Sequence, residues 1–248
     1  MKKIGLLIPV IAVVIIGVSA WKLIAIYSEY GRGEAEYHNL QAAIITREKG
    51  ISGNKEAEPF LQIDFAKLSG INKDVIGWIS YAPLAISHPV VQGTDNEYYT
   101  HYTFEKEKNS MASIFVDCNN APDFTDYNTI IYGHNMKNGT MFGSLKKMAQ
   151  NSELCRENPN IIIYREDGIY TYKILALYYT DANSSTYDFC TDEKQYQEYQ
   201  KMIQSKAVYY NEELENEIKT EAPMITLSTC SGSHSTSRLV VHALLQEN

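Results

Sequence analysis

The sequence predicts a mostly β body, a closed barrel or a sandwich of about eight short strands, carried behind an N-terminal transmembrane helix. Three observations predict it. Eight apolar or alternating runs, at 78–81, 86–92, 112–116, 129–132, 160–164, 170–179, 224–229 and 238–245, are separated by turn-rich segments. Nineteen tyrosines suit half-buried pleated surfaces, where ring packing with wet hydroxyls is a simpler use for them than a glycan platform. Residues 4–20 form an uncharged apolar run behind Met1, Lys2 and Lys3.

The apolar run continues through Trp21 and, after Lys22, through Leu23, Ile24, Ala25, Ile26 and Tyr27. Roughly 20 residues cross a bilayer core, and the segment reaches that length if Lys22 snorkels and Trp21 and Tyr27 lie at the interface. The paired lysines place the N-terminus inside and everything after Tyr30 outside. A cleavable signal peptide is the rival reading, since Val18, Ser19 and Ala20 resemble a small-residue cleavage site. The resumption of apolar residues after Lys22 favours an uncleaved anchor, and so a single-pass protein with its folded part outside the cell membrane.

Residues 34–49 have helix-forming composition with apolar Leu40, Ala43 and Ile44, and 50–59 read as a linker or helix stop. The expected division is therefore a membrane anchor at 1–30, a helical stalk or linker at 31–59, and one domain at 60–248. Ile63, Phe65, Leu68 and Ile71 are spaced for a short helix before the first strand. A clear helix over 192–206, with Tyr196, Tyr199, Met202 and Ile203 at helical spacing, interrupts the strands late in the chain. The acidic stretch 212–217 lacks the loop pattern of a calcium site and reads as a solvated segment.

The formal net charge of -8, with no dense basic tract, argues against a nucleic-acid partner. Cys118, Cys155, Cys190 and Cys230 form no CxxC pair, so metal-ligand spacing is absent and no metal or cofactor is implied. If Cys230 stays a free thiol, the other three allow at most one disulfide, of unassigned pairing.

Cys230 ends the apolar run at 224–229 and is followed by a small polar loop and a second run that Arg238 opens. This strand, loop, strand unit suits a rigidly held yet accessible nucleophile facing a charged stabiliser, although a packed cysteine beside a surface arginine fits the same residues. A cysteine nucleophile needs a nearby imidazole, because neither group is mostly charged at neutral pH when unperturbed. Of six histidines, His134 stands out: it follows the run at 129–132 through Gly133 and precedes a turn, so it too caps a strand. Alternation places Ile130, Tyr132 and His134 on one side, provided Gly133 does not break the register. His234 lies in the flexible loop after Cys230 and reads as a substrate-rim residue. His242 reads as a packed strand histidine, and His88 and His101 as turn and surface residues.

These residues resemble a known family. Thr226, Leu227, Ser228, Thr229 and Cys230 are similar to the Thr-Leu-x-Thr-Cys signature of sortases, and Tyr132, Gly133, His134, Asn135 and Met136 to their histidine motif. Arg238 falls where the family's arginine is expected. The three motifs occur in the right order, and the resemblance covers roughly residues 60–248. Within the family the chain most resembles class B, through the pattern at 90–99 and the helix at 192–206.

The resemblance implies a closed eight-stranded sortase barrel and a cysteine transpeptidase at the surface of a Gram-positive cell. Cys230 would attack a threonine carbonyl in a sorting motif near the C-terminus of an exported protein. An amine of a cell-wall precursor or of peptidoglycan would then resolve the thioacyl intermediate. His134 would shuttle the proton, and Arg238 would bind the substrate backbone or the oxyanion. Thr229 or a nearby backbone N–H would complete the oxyanion site, with Asn96 and Ser228 as further positioning residues. Class B members often carry an acidic residue between cysteine and arginine, whereas 231–237 contains none. The sequence therefore selects neither the Asn-Pro-x-Thr nor the Leu-Pro-x-Thr-Gly type of motif. Two other classes are compatible with the residues: a hydrolytic cysteine peptidase, and a surface-anchored binding module with a vestigial site. An L,D-transpeptidase would place its arginine closer to the cysteine than Arg238 lies.

Overall fold

The computed structural model describes residues 4–47, 60–215, 222–230 and 236–246. In chain order the elements are α1 (Ile4–Ile44), β1 (Ile45–Arg47), β2 (Leu61–Ile63), α2 (Phe65–Ile71), β3 (Val75–Tyr81), β4 (Ile86–Val91), β5 (Ile114–Val116) and β6 (Asn128–His134). They continue with α3 (Lys146–Gln150), α4 (Glu153–Glu157), β7 (Asn160–Arg165), β8 (Gly168–Asp181), α5 (Glu193–Lys206), β9 (Tyr209–Tyr210), α6 (Glu212–Glu215), β10 (Met224–Cys230) and β11 (Ser237–Leu245).

The main sheet runs β11-β10-β6-β5-β4-β3-β7-β8, and pairing of β11 with β8 closes it. Eight strands therefore form the barrel, while the two-residue β9 is added on the far edge of β8 and β1 pairs with β2 apart from it. Closure removes the exposed strand edges that a sandwich would keep. Each of the eight sequence runs lies in one barrel strand. They are legible because β-branched and aromatic residues fit a pleated surface, and Gly, Pro and Asn punctuate them.

Side chains alternate between two cores. Ile131, Ile225, Leu227, Leu239 and Val241 belong to one core with Trp78, Ile79, Phe142 and Ile163. Met224, Val240 and Leu244 face outward beneath Tyr196, Tyr199 and Ile203 of α5. Asp192 caps that helix by accepting from the Gln195 N–H, which satisfies one of its unpaired amides. The face under α5 leads along the same strands to the chain positions where the sequence placed its nucleophile.

Helix α1 extends further than its glycines suggest. It contains a stretch long and apolar enough to cross a membrane, of mean hydropathy 2.0 and with none of that window buried. It then runs without a break through Gly31 and Gly33 to Ile44, where Gly33, Tyr37, Leu40 and Ile44 lie buried against the barrel. Residues 45–47 are strand rather than helix, and the linker residues 48–59 lie outside the described residues.

Two histidines are sealed into the fold. His88 corrects a sequence expectation: it is not a turn residue but a buried position of β4, edge-on to Tyr37. β5 pairs with β4 only at Val90 and Val91, so Pro89 sits where the strand has a β neighbour on one side and tolerates a missing N–H. Burial lowers the pKa of His88 to about 4, and burial with Lys206 nearby lowers that of His242 to about 3. The folded state keeps both rings neutral, while the unfolded chain binds their protons below about pH 6.5. Stability is therefore expected to fall as pH drops from about 6.5 towards those values, by up to about 1.4 kcal/mol per pH unit for each ring. Urea midpoints measured across that window check this; a His242→Gln variant should show a shallower decline than the parent protein.

Candidate active site

Strand pairing builds the site. β6 and β10 run parallel, in continuous register from Asn128 opposite Met224 to His134 opposite Cys230. β10 and β11 run antiparallel up to Ser228 opposite Val240, so Cys230 and Arg238 lie at the adjoining ends of the two strands. Arg238 in turn pairs with Thr180 of β8. His134 and Cys230 thus face each other across β6 and β10, and Arg238, 104 positions from His134 in sequence, stands near the start of the adjoining β11. The next row inward reads Phe115, Tyr132, Ser228, Val240, Tyr178.

Gly133 does not break the strand. A Cβ there would lie 2.6 Å from the Phe142 ring, so the glycine lets Phe142 press on the backbone beside His134. The Phe142 N–H donates to the His134 carbonyl at 3.0 Å and folds the following loop back onto the strand end.

The half-buried His134 ring is oriented by a backbone group. Its Nε2 lies 2.8 Å from the Thr100 carbonyl, and because a carbonyl only accepts, Nε2 carries the hydrogen. The neutral ring therefore keeps its lone pair on Nδ1. Burial holds the pKa of His134 below the usual histidine value, the Thr100 carbonyl opposes that shift, and His101 adds to it.

Ser228 is fully buried, with its hydroxyl 2.8 Å from the Tyr187 hydroxyl. Tyr187 belongs to a short turn, Ser185–Tyr187, that crosses the outer face, and its ring stacks near Tyr132 at 6.2 Å. Tyr132 donates to Asp117 Oδ2 at 2.9 Å, and Asn96 Nδ2 donates to the same oxygen at 2.9 Å. Asn96 Oδ1 accepts from the Cys118 N–H, and Asn119 donates twice to Asp117 Oδ1. The buried Asp117 carboxylate is thus satisfied by four donors and locks Asn96 and Tyr132 in place.

Of the residues that the sequence singled out, His134 and Cys230 pair across β6 and β10, Ser228 lies two residues before Cys230, and Arg238 lies on the adjoining β11. The buried Thr229 hydroxyl accepts from the Leu239 N–H at 3.0 Å and so staples β10 to β11. Its side chain thereby positions the strand end that carries residue 230. His234 and the loop 231–235 lie outside the described residues. The roles of Thr100, Asp117 and Tyr187 were missed. Thr100 acts through its backbone, which no residue type announces, whereas Tyr132 was signalled by its alternation with His134.

The thiols of Cys118, Cys155 and Cys190 are unbridged. Burial pushes Cys155 up to about 12 and Cys190 up to about 11; it raises Cys118 too, with the Asp117 charge adding to it. Among the described residues no group of His, Cys, Asp and Glu side chains could hold a metal ion.

Residues 82–246 match the family model of the sortase domain. The chain is 31% identical to sortase B of Staphylococcus aureus over 248 residues, 98% of this chain and 97% of that protein. It is 34% identical to sortase B of Listeria monocytogenes over 169 residues, 66% of this chain and 65% of that protein. Among solved structures it resembles sortase B from Bacillus anthracis in complex with AAEK1, with a TM-score of 0.74 and 28% identity, covering 90% of this chain and 100% of that one.

Proposed function

Because the chain belongs to the sortase family of cysteine transpeptidases, most similar to class B, we propose that Cys230 is its nucleophile and that it transfers exported proteins to a cell-wall amine. The observation that carries this reading is the pairing of His134 with Cys230 at the ends of parallel β6 and β10, with Arg238 on the adjoining β11. In the first half-reaction the Cys230 sulfur bonds to the threonine carbonyl carbon of a C-terminal sorting motif. The peptide C–N bond breaks, and the leaving amine takes its proton from His134 Nδ1. In the second, an amine of a cell-wall precursor or of peptidoglycan attacks the thioester. It gives its proton to the same nitrogen, and sulfur leaves as the thiolate.

The hydrogen bond from Nε2 to Thr100 keeps Nδ1 as the working atom through both halves. Arg238, permanently charged and rich in donors, stabilises the oxyanion of each tetrahedral intermediate. Ser228, held by Tyr187, and Asn96, held by Asp117, are substrate-positioning groups.

Residues 1–30 act as a membrane anchor with the N-terminus inside, 31–59 as the connecting segment, and 60–248 as the extracellular catalytic domain. The exposed Ile15, Ile16, Trp21, Ile24 and Tyr27 on α1 support the anchor, since such a surface has no partner in water.

The test is incubation of the full-length chain in detergent with a panel of short peptides of the Asn-Pro-x-Thr and Leu-Pro-x-Thr-Gly types, with and without an added amine. Ligated product that requires the amine is the expected result. Cleavage to a free acid alone, at a rate indifferent to the amine, would instead make the chain a hydrolytic peptidase, and no turnover of any peptide would favour a binding module.

A further inference from the structure

The docked half of α1 gathers the two loops that flank His134. From the loop 100–113, Asn109 Nδ2 donates to the Glu29 carbonyl at 2.9 Å, the Ser110 N–H to Glu29 Oε1 at 2.7 Å, and the Glu105 N–H to Glu36 Oε1 at 3.1 Å. From the loop that follows His134, Asn138 Nδ2 donates to Glu34 Oε1 at 2.5 Å. At the centre is Tyr37, only 3% exposed, whose hydroxyl donates to the Ala112 carbonyl at 2.5 Å and accepts from the Phe104 N–H at 3.3 Å. A Cβ on Gly33 would lie 2.7 Å from Met111 Sδ, so the helix and this loop are in the closest contact that a backbone allows.

The connection to the imidazole is short. Tyr37 holds Ala112; the adjacent Ser113 N–H donates to the Tyr99 carbonyl at 3.2 Å; and the next carbonyl, that of Thr100, accepts from His134 Nε2. We propose that α1 is part of the catalytic apparatus, with Tyr37, assisted by Glu34, as a positioning residue for His134. The element that reads as a stalk thus sets the geometry of the proton carrier, through hydrogen bonds that a free linker would not make.

This inference rests on the catalytic reading of His134 for its kinetic readout but not for its spectroscopic one. The full-length Tyr37→Phe variant is compared with the parent in micelles, with folding checked by circular dichroism. The titratable groups around the path are His101 and Cys230 beside His134, and His88 and Glu36 beside Tyr37. With no peptide present, the His134 ring signal should titrate at lower pH in the variant, because the Thr100 carbonyl favours the charged ring and is less well placed. On peptide, kcat should fall about tenfold while KM stays within about twofold. Glu34→Ala should give the same signature at about a twofold fall in kcat. A folded Tyr37→Phe protein with parental kcat and parental His134 titration overturns the proposal. If that variant does not fold, a parental titration in Glu34→Ala overturns it. A shifted titration with no peptide turnover in the parent would fault the catalytic reading and leave the positioning intact.

Discussion

Cys230→Ala is expected to lower kcat/KM for peptide transfer by about 10⁴-fold or more, leaving fold and peptide affinity in place. The size follows from the mechanism: without sulfur there is no thioacyl intermediate, and the oxyanion donors and bound peptide supply only residual acceleration. Intact-mass measurement after mixing with peptide should show the acyl adduct on the parent protein and none on the variant. Labelling by a thiol-reactive probe should fall with it, since burial raises the pKa of the other three thiols. An adduct that survives the substitution would remove Cys230 from the chemistry.

His134→Ala is expected to cost about 10²- to 10⁴-fold in kcat. Both half-reactions pass a proton through Nδ1, so neither step is spared. The thiol and imidazole titrate as a pair, and the active form carries one proton between them. Because burial holds His134 below the usual histidine range, the acid limb of the parent pH–rate profile should lie below about pH 6.5. That limb should be absent from whatever activity the variant keeps. Parental rates in His134→Ala would leave the assigned role untenable.

Most of the barrel was readable because its strands are short, β-branched and punctuated, and each run maps onto one strand. The approach of His134 to Cys230 was readable for a related reason: each stands at the abrupt end of an apolar run, and neighbouring parallel strands bring such ends together. What could not be read is contact made across long separations or through backbone. The Thr100 carbonyl that fixes the His134 tautomer has no residue signature. Tyr187 meets Ser228 from a turn 41 residues away. His88 was misplaced because a following proline suggests a turn, whereas β4 has a free side that accommodates it. The reach of α1 was hidden because the anchor at 1–30 and the helix-forming stretch at 34–49 read as separate segments. At Gly33 the missing side chain admits Met111 and Asn109 against the helix.

The continuity of α1 also fixes a working height. At about 1.5 Å of rise per residue, Glu34, where the loop after His134 is held, lies about 10 Å along the axis from Tyr27 at the end of the apolar stretch. In the anchored form proposed above, the domain does not roam on a tether. It stands on one stiff post, close to the lipid headgroups, and its reach is set by the bending of that post. A sorting motif would have to be presented at that level, by a substrate whose own chain brings the scissile bond there.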